Sequence, residues 1–207
     1  MDMSMRIYSI SDSIVFKKTK EAFGGLSNLA GGYSVYVNDV IIPTSEHLYQ
    51  ACRFPEYPEL QWDIINEKSP MRAKWIGRAN IKLTRPDWEQ VQFKVMQWAI
   101  EVKLSQNWDT FSTLLLSTGN KNIVELTHTP KIWGAVRKGE YLEGINALGR
   151  LLMHVRETYV TNNNRIHCVE PLNIPSFNFL GIPIGVICEE SENMFIPDSL
   201  PREFVIA

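Results

Sequence analysis

Apolar residues recur along this chain mainly at the spacing of α-helices. The clearest example is residues 87–107, where two neighbouring stripes repeat every three or four positions. We expect a central, buried helix there, because apolar side chains surround much of its circumference. The first stripe is Trp88, Val91, Val95, Trp98 and Val102, and the second is Phe93, Met96, Ile100 and Lys103.

Start and stop signals delimit shorter elements. Thr44 is a good N-cap, and Ser69-Pro70 combines a cap with proline at the first helical position. The alternating, β-branched stretch 33–42 turns at Asn38-Asp39, which predicts a small hairpin. Further helices are expected at residues 44–52, 69–77, 108–117 and 146–158.

Both ends of the chain differ in texture from the middle. Residues 1–20 are polar and β-branched, whereas residues 161–207 contain several prolines whose spacing excludes a long helix. We expect an N-terminal extension at 1–20, a main domain at 21–160, and an irregular proline-rich extension at 161–207 packed on that domain. The predicted fold class is mainly α, a compact multi-helical fold with a minor β-hairpin.

Composition narrows the function classes. The 207 residues carry 21 Lys and Arg against 23 Asp and Glu, which excludes a broadly basic nucleic-acid coat protein. No apolar run approaches the ~20 residues that span a bilayer, and no secretory signal opens the chain. The three cysteines lack metal-ligand spacing. We therefore expect a cytoplasmic protein with reduced cysteines, no metal site and no membrane contact.

Well-known catalytic and cofactor loops are missing from the sequence. It has no GxxxxGK[ST], no GxGxxG and no GxSxG pattern. A P-loop NTPase, a dinucleotide-binding enzyme and an α/β-hydrolase are therefore disfavoured, and no cofactor is expected.

Residues 68–85 hold six basic side chains and no acidic one. In a slightly acidic chain this imbalance indicates an anion site, with phosphate as the expected ligand. Trp75 and Trp88 accompany it, and either indole is able to stack on a base. The alternative, a solvated basic face beside core tryptophans, stays open.

Two further side chains are candidates for chemistry. Glu46 falls in the first turn of its predicted helix, where unpaired N–H groups stabilise a carboxylate. It is either an ordinary helix-start acid or a proton-transfer group. Lys103 continues an apolar stripe, so burial is expected to lower its pKa and yield a neutral amine for carbonyl chemistry. The alternative for Lys103 is a lysine that reaches solvent near the helix end.

The order of short motifs resembles that of the NADAR family of YbiA-like domains, over about residues 21–160. The motifs are specific in combination, although each is weak alone. They are GLSN at 25–28, PTSEHLYQA at 43–51, SPMRAK at 69–74, RPDW at 85–88, KLSQN at 103–107, LLLSTGN at 114–120, VE at 124–125, WG at 133–134 and NALGRLLM at 146–153.

This resemblance implies a mostly α-helical domain that breaks bonds between a ribose anomeric carbon and nitrogen. Family members remove ADP-ribose from guanine bases, and some are antitoxins beside a DarT-type DNA ADP-ribosylating toxin. Other members are linked to N-glycosidic cleavage of early riboflavin-pathway intermediates. The implied partners are ADP-ribosylated nucleic acid or ADP-ribose, and a DarT-type toxin encoded nearby.

Residue roles follow from the matched motifs. Glu46 corresponds to the family's functional glutamate, and Lys103 to a lysine that captures the opened ribose aldehyde as an imine, with Lys74 as the second choice. Substrate contacts are carried over to Ser27, Asn28, Lys74, Arg78, Trp88, Trp133, Gly134, Asn146 and Gly149.

The sequence departs from the family pattern just before Trp133. Relatives usually carry one or two aspartates where this chain has Pro130 and Lys131, with His128 as a conceivable stand-in. The departure motivates a second hypothesis, a non-catalytic ADP-ribose-binding or toxin-neutralising protein. A glycosidase of riboflavin-pathway intermediates is the third.

Overall fold

The computed structural model describes residues 4–129 and 132–189 of the chain. Its helices are α1 (Ser45–Ala51), α2 (Pro58–Asn66), α3 (Pro70–Ala79), α4 (Trp88–Gln106), α5 (Trp108–Leu116) and α6 (Ala147–Val155), the last continued by a π-helical segment, Arg156–Thr161. Its strands are β1 (Arg6–Ser9), β2 (Ser13–Phe16), β3 (Val35–Val37), β4 (Val40–Ile42), β5 (Asn122–Glu125), β6 (Val136–Lys138), β7 (Tyr141–Gly144), β8 (Cys168–Val169), β9 (Asn178–Phe179), β10 (Ile182–Pro183) and β11 (Ile187–Cys188).

The fold is mixed α/β, so the predicted mainly α class is wrong. Of the described residues, 41% are helical and 19% lie in strands. An antiparallel sheet has the order β1-β7-β6, and β2 pairs with β5 in parallel. These strands have two to four residues each, too few for alternation to be visible in the sequence. Their partners also lie far away in the chain, which local patterning does not disclose.

Helix α4 is the centre of the main core, as its two apolar stripes predict. Trp98 and Ile100 are buried on it, and Phe111 of α5 joins the same core. The predicted hairpin is also confirmed, with Asn38 and Asp39 at φ 47° and 62° between β3 and β4. Among the α-helices, α2 is the one that the sequence did not predict; it begins at Pro58.

Both predicted extensions contribute to this core, while the boundaries at residues 20 and 160 stay predictions. Strands β1 and β2 pair with β7 and β5, and Phe16 is buried in the main core. In the described part of the C-terminal segment, Phe179 and Ile187 are buried in the same core. Residues 190–207, with Pro197 and Pro201, lie outside the described residues.

The expectation of fully reduced cysteines is wrong in this structure. Cys168 and Cys188 oppose each other on the antiparallel strands β8 and β11 and form a disulfide. Strand pairing creates this neighbourhood across 20 residues of sequence, so cysteine spacing did not reveal it. Cys52 is free and buried, and burial raises its pKa to about 12. Within the described ranges, no helix has the length and apolar character needed to cross a membrane.

Candidate active site

A cavity of about 170 Å³ opens where α1, α3, the start of α4 and the loop before β3 meet. It gathers most of the residues that the motifs selected, although they come from distant parts of the sequence. Those that line it are Ser27, Asn28, Glu46, Lys74, Arg78, Trp88 and Trp133.

The N-terminus of α1 fixes Glu46 in this cavity. Thr44 is the N-cap, and its hydroxyl accepts a hydrogen bond from the His47 backbone N–H. The same hydroxyl lies 2.8 Å from Nδ1 of His47, whose Nε2 lies 2.9 Å from the Glu67 carbonyl oxygen. Because a carbonyl only accepts, Nε2 carries the proton, and burial lowers the pKa of His47. The hydrogen bonds that join His47 to Thr44 and to Glu67 therefore fix the first turn of α1, which carries Glu46.

Glu46 is almost fully buried and has two polar partners on one carboxylate oxygen. Its Oε1 accepts a hydrogen bond from Gln50 Nε2 at 2.8 Å and lies 3.3 Å from Lys74 Nζ. Arg53 in turn donates to Gln50 Oε1 at 3.0 Å. An added Cβ at Gly77 would clash with Gln50 Oε1, so a glycine lets α3 approach α1 closely enough to pair Lys74 with Glu46.

The loop before the hairpin supplies the opposite edge of the cavity. Asn28 is buried; its side-chain amide donates to Met96 Sδ, and its Oδ1 accepts from Ser45 Oγ. The Asn28 carbonyl accepts the Glu46 N–H at 3.0 Å. Asn28 is thus tied directly to the first turn of α1.

Lys103 does not line this cavity. Its side chain is buried, with Nζ donating to the Gly25 carbonyl at 2.6 Å and lying about 4 Å from the ring centroids of Tyr33 and Phe111. Desolvation lowers its pKa to about 7. The predicted burial of Lys103 is therefore confirmed. Its contacts, however, fasten the backbone of the loop that carries Ser27 rather than present an amine to the cavity.

Aromatic side chains form one wall of the cavity. Tyr49 contacts Trp88 and Trp133, with ring centroids 5.0 and 5.6 Å away, and Phe93 backs Trp133 at 5.3 Å. The Trp133 carbonyl accepts the N–H of Leu148 in the first turn of α6, which fixes the loop. Burial, and then the negative charge of Glu46, raise the pKa of Tyr49 well above its usual value. The wall is suited to stacking against a flat ring.

Two arginines line the cavity near this wall. Arg53 packs against Trp88, with its guanidinium carbon 5.4 Å from the ring centroid, and is 8% exposed. Its Nε has no hydrogen-bond partner among the described residues. Arg78 also lines the cavity and is exposed. Together with Lys74 they provide cations that favour an anionic ligand.

Asn146, Gly149 and Gly134 support the cavity from outside it. The buried Asn146 side chain accepts the Glu125 N–H at 3.1 Å and donates to the Ile123 carbonyl at 2.8 Å. A Cβ on Gly149 would meet that same carbonyl, so glycine permits α6 to lie against β5. The Gly134 carbonyl accepts the Asn146 N–H. The structure therefore gives these residues contacts that place Glu125.

Glu125 is a second carboxylate in the cavity lining. Sequence reasoning noted it only as part of a motif and gave it no role. It also missed Gln50 and Arg53, although both follow Glu46 at helical spacing, i+4 and i+7, which was the available signal. The remaining lining residues that it missed are Leu29, Tyr49, Gln92, Met96 and Leu148.

The departure from the family pattern lies mostly beyond what the structure describes. Pro130 and Lys131 are outside the described residues, whereas His128 is exposed and does not line the cavity. Over residues 4–129 and 132–189, no three His, Cys, Asp or Glu side chains come together as a metal ion would require.

This chain is similar to several known proteins in sequence and in fold. A family model described as the NADAR domain matches residues 15–159. Escherichia coli (strain K12) "N-glycosidase YbiA" is 36% identical over 149 residues, covering 72% of this chain and 89% of that protein. "Riboflavin biosynthesis protein PYRR, chloroplastic" of Zea mays is 38% identical over 157 residues, covering 69% of this chain but 24% of the maize protein. The NMR structure of E. coli YbiA matches with a TM-score of 0.63 at 34% identity, covering 75% of this chain and 89% of that one.

Proposed function

Because the chain belongs to the NADAR family, we propose that it is an N-glycosidase that removes ADP-ribose from guanine bases in nucleic acid. The observation that carries the proposal is the Glu46–Lys74 pair, an acid and an amine 3.3 Å apart in a cavity with aromatic and cationic walls. The relatives named N-glycosidases support the reaction class.

The Glu46–Lys74 pair suits a reaction at an anomeric carbon. Transfer of one proton from the ammonium to the carboxylate yields a neutral amine and a carboxylic acid within hydrogen-bond reach. The acid then protonates the ribose ring oxygen as the ring opens, and the amine becomes a nucleophile for C1′. The pair therefore supplies both a proton donor for the ring oxygen and a nucleophile for C1′.

Water is the one additional reactant that the reaction requires. The Lys74 amine forms a bond to C1′ while the bond from C1′ to the guanine nitrogen breaks, and the base leaves with the proton that the amine loses. Water hydrolyses the resulting imine, which frees Lys74 and releases ADP-ribose. Glu125 is the second carboxylate lining the cavity, and in this proposal it accepts a proton from that water.

We assign the imine to Lys74 rather than to Lys103. Lys74 lines the cavity and its side chain is 27% exposed, so a sugar carbon is able to reach its amine. Lys103 is 1% exposed, outside the lining, and its Nζ is held by the Gly25 carbonyl. A low pKa makes Lys103 nucleophilic in principle, but access decides between the two amines.

The walls of the cavity account for the rest of the substrate. Trp88 and Trp133 offer faces for a purine ring, and Arg53 and Arg78 offer charge-assisted bonds to a diphosphate. The guanine has to leave its base stack, or come from a single strand, before the bond that joins it to ADP-ribose is able to enter a cavity of this size.

The experiment is a turnover assay on two substrates with the same protein. One is a single-stranded oligonucleotide carrying ADP-ribosylated guanine, and the other is the aminopyrimidine ribosyl phosphate of early riboflavin synthesis. We expect release of ADP-ribose and recovery of the unmodified oligonucleotide. Cleavage of the aminopyrimidine alone would assign the protein to the riboflavin-type activity. ADP-ribose binding without cleavage of either substrate would make it a reader.

A further inference from the structure

The outer face of α3 is apolar and basic at once. Trp75 is 57% exposed and Met71, one turn earlier on the same face, is 41% exposed. The other tryptophans in the described ranges are buried or half-buried, whereas the indole of Trp75 is exposed to solvent. The exposed indole offers a ring face on which a flat group is able to stack.

Exposed basic residues precede and follow this indole in the sequence. Arg72 is on α3 with its side chain 68% exposed, Arg78 is exposed one turn after Trp75, and Lys82 is exposed just beyond the helix. The stretch 68–85 contains no acidic residue, and Glu67 pairs with Arg72 at 3.3 Å from outside it. The segment that carries the exposed Trp75 therefore has an excess of positive charge.

Helix geometry connects this face to the cavity. Trp75 directly follows Lys74 and precedes Arg78 by three residues, and both of those line the cavity. At ~100° per residue, Trp75 projects about 60° around the helix from Arg78, on the solvent side. The exposed ring of Trp75 therefore lies outside the cavity, next to the side of α3 that lines it.

We propose that the outer face of α3 is a docking surface for single-stranded nucleic acid, with Trp75 stacking on a base beside the modified nucleotide and Arg72 and Lys82 contacting its phosphates. The proposal rests on the proposed function for the identity of the inserted nucleotide. Its basis is charge complementarity with a phosphate backbone and an exposed ring suited to a base face. A single strand fits better than a duplex, because the bases of a duplex are already stacked on one another.

The test compares Trp75→Ala with wild type on a large and a small substrate. The large one is a single strand of about ten nucleotides with one ADP-ribosylated guanine, long enough to cross a site of this kind. The small one is ADP-ribosylated guanosine monophosphate. We expect Trp75→Ala to raise KM for the strand by about tenfold and to leave the kinetics of the mononucleotide unchanged. Tyr141→Ala, which removes an aromatic side chain 55% exposed on β7, is the matched control.

A second measurement does not depend on turnover. Fluorescence anisotropy gives the affinity for an unmodified single strand as salt is raised. The double variant Arg72→Ala/Lys82→Ala should lower the slope of log affinity against log salt by ~0.7 for each lost phosphate contact. Arg137→Ala/Lys138→Ala, on β6, removes two exposed cations elsewhere and should leave the slope unchanged.

The outcomes separate this inference from the proposed function. The docking surface would be overturned if Trp75→Ala affected the strand and the mononucleotide equally. It would also be overturned if strand binding did not depend on Trp75, Arg72 or Lys82. Neither result would contradict the proposed N-glycosidase activity. If wild type cleaves neither substrate, the proposed function fails. Binding of the unmodified strand that depends on Trp75 would then still support the surface on its own.

Discussion

Lys74 and Glu46 lie on neighbouring helices with Nζ and Oε1 3.3 Å apart, and their exposure differs sharply. The lysine side chain is 27% exposed, whereas the glutamate side chain is 4% exposed. The amine therefore faces the cavity mouth while the carboxylate sits behind it, held also by Gln50. In the proposed mechanism, this order places the nucleophile toward the substrate and its proton partner behind it.

The first prediction follows from that order. Borohydride added during turnover should reduce the imine and attach ADP-ribose covalently to Lys74, because this amine is the accessible one. Peptide mapping by mass spectrometry locates the adduct. Lys74→Arg should abolish the adduct, since a guanidinium forms no such imine, and Lys103→Met should leave it at Lys74. An adduct on Lys103 would show that the loop around Gly25 opens during turnover, contrary to our assignment.

The second prediction concerns ligand charge. Arg78→Ala should weaken ADP-ribose binding by roughly 1.5–3 kcal/mol, the usual scale for a lost charge-assisted bond. Isothermal calorimetry measures it. Arg72→Ala is the matched control, because Arg72 is on the same helix but outside the cavity lining. Equal affinities of both variants would remove Arg78 from the diphosphate site.

The third prediction concerns the buried amine of Lys103. Its pKa is about 7 in the folded protein and 10.5 is its ordinary value, so between these pH values the unfolded chain binds a proton that the folded chain does not. Stability should therefore rise with pH across this window, by up to about 1.4 kcal/mol per pH unit, and be insensitive to this group below pH 7.

Lys103→Met isolates this contribution, since methionine does not titrate. The difference in free energy of unfolding between wild type and variant, from denaturant titrations at several pH values, should grow in favour of wild type as pH rises through the window. Parallel curves would mean that the rings of Tyr33 and Phe111 and the Gly25 carbonyl keep the ammonium charged.

The fourth prediction distinguishes a structural role of Asn146 from a direct contact with ADP-ribose. Asn146→Ala leaves the Glu125 N–H and the Ile123 carbonyl without their partner and should cost about 2–4 kcal/mol of stability. Asn146→Gly, which relieves the positive φ of 52° but also lacks the amide, should lose nearly as much. Thermal and denaturant unfolding measure both. A stable Asn146→Gly variant with weakened ADP-ribose binding would instead make Asn146 a ligand contact.

Local patterns predicted every α-helix except α2 and many of the candidate site residues, because the signals for both lie within short stretches of sequence. The cap at Thr44 gives α1 and its Glu46, and Ser69-Pro70 gives α3 with Lys74 and Arg78. Motif order selected these residues as candidates, and the structure places them in the lining of one cavity.

What sequence reasoning missed depends on contacts between distant segments. Helical spacing showed that Lys103 is buried but not which side of α4 faces the cavity. Glu125 reaches the cavity because β5 pairs with β2 and is braced by Asn146, two relationships that span many residues. The Cys168–Cys188 disulfide likewise follows from the pairing of β8 with β11.

The most direct test of the proposed activity compares Glu46→Gln with wild type on the ADP-ribosylated single strand. Glutamine keeps the shape of the side chain and removes its proton transfer. Wild type should release ADP-ribose, and the variant should release it at least about 100-fold more slowly, the usual scale for a general acid–base group. Calorimetry should show that the variant still binds ADP-ribose. Equal release by both proteins would contradict the role of Glu46, and no release by wild type would contradict the activity itself.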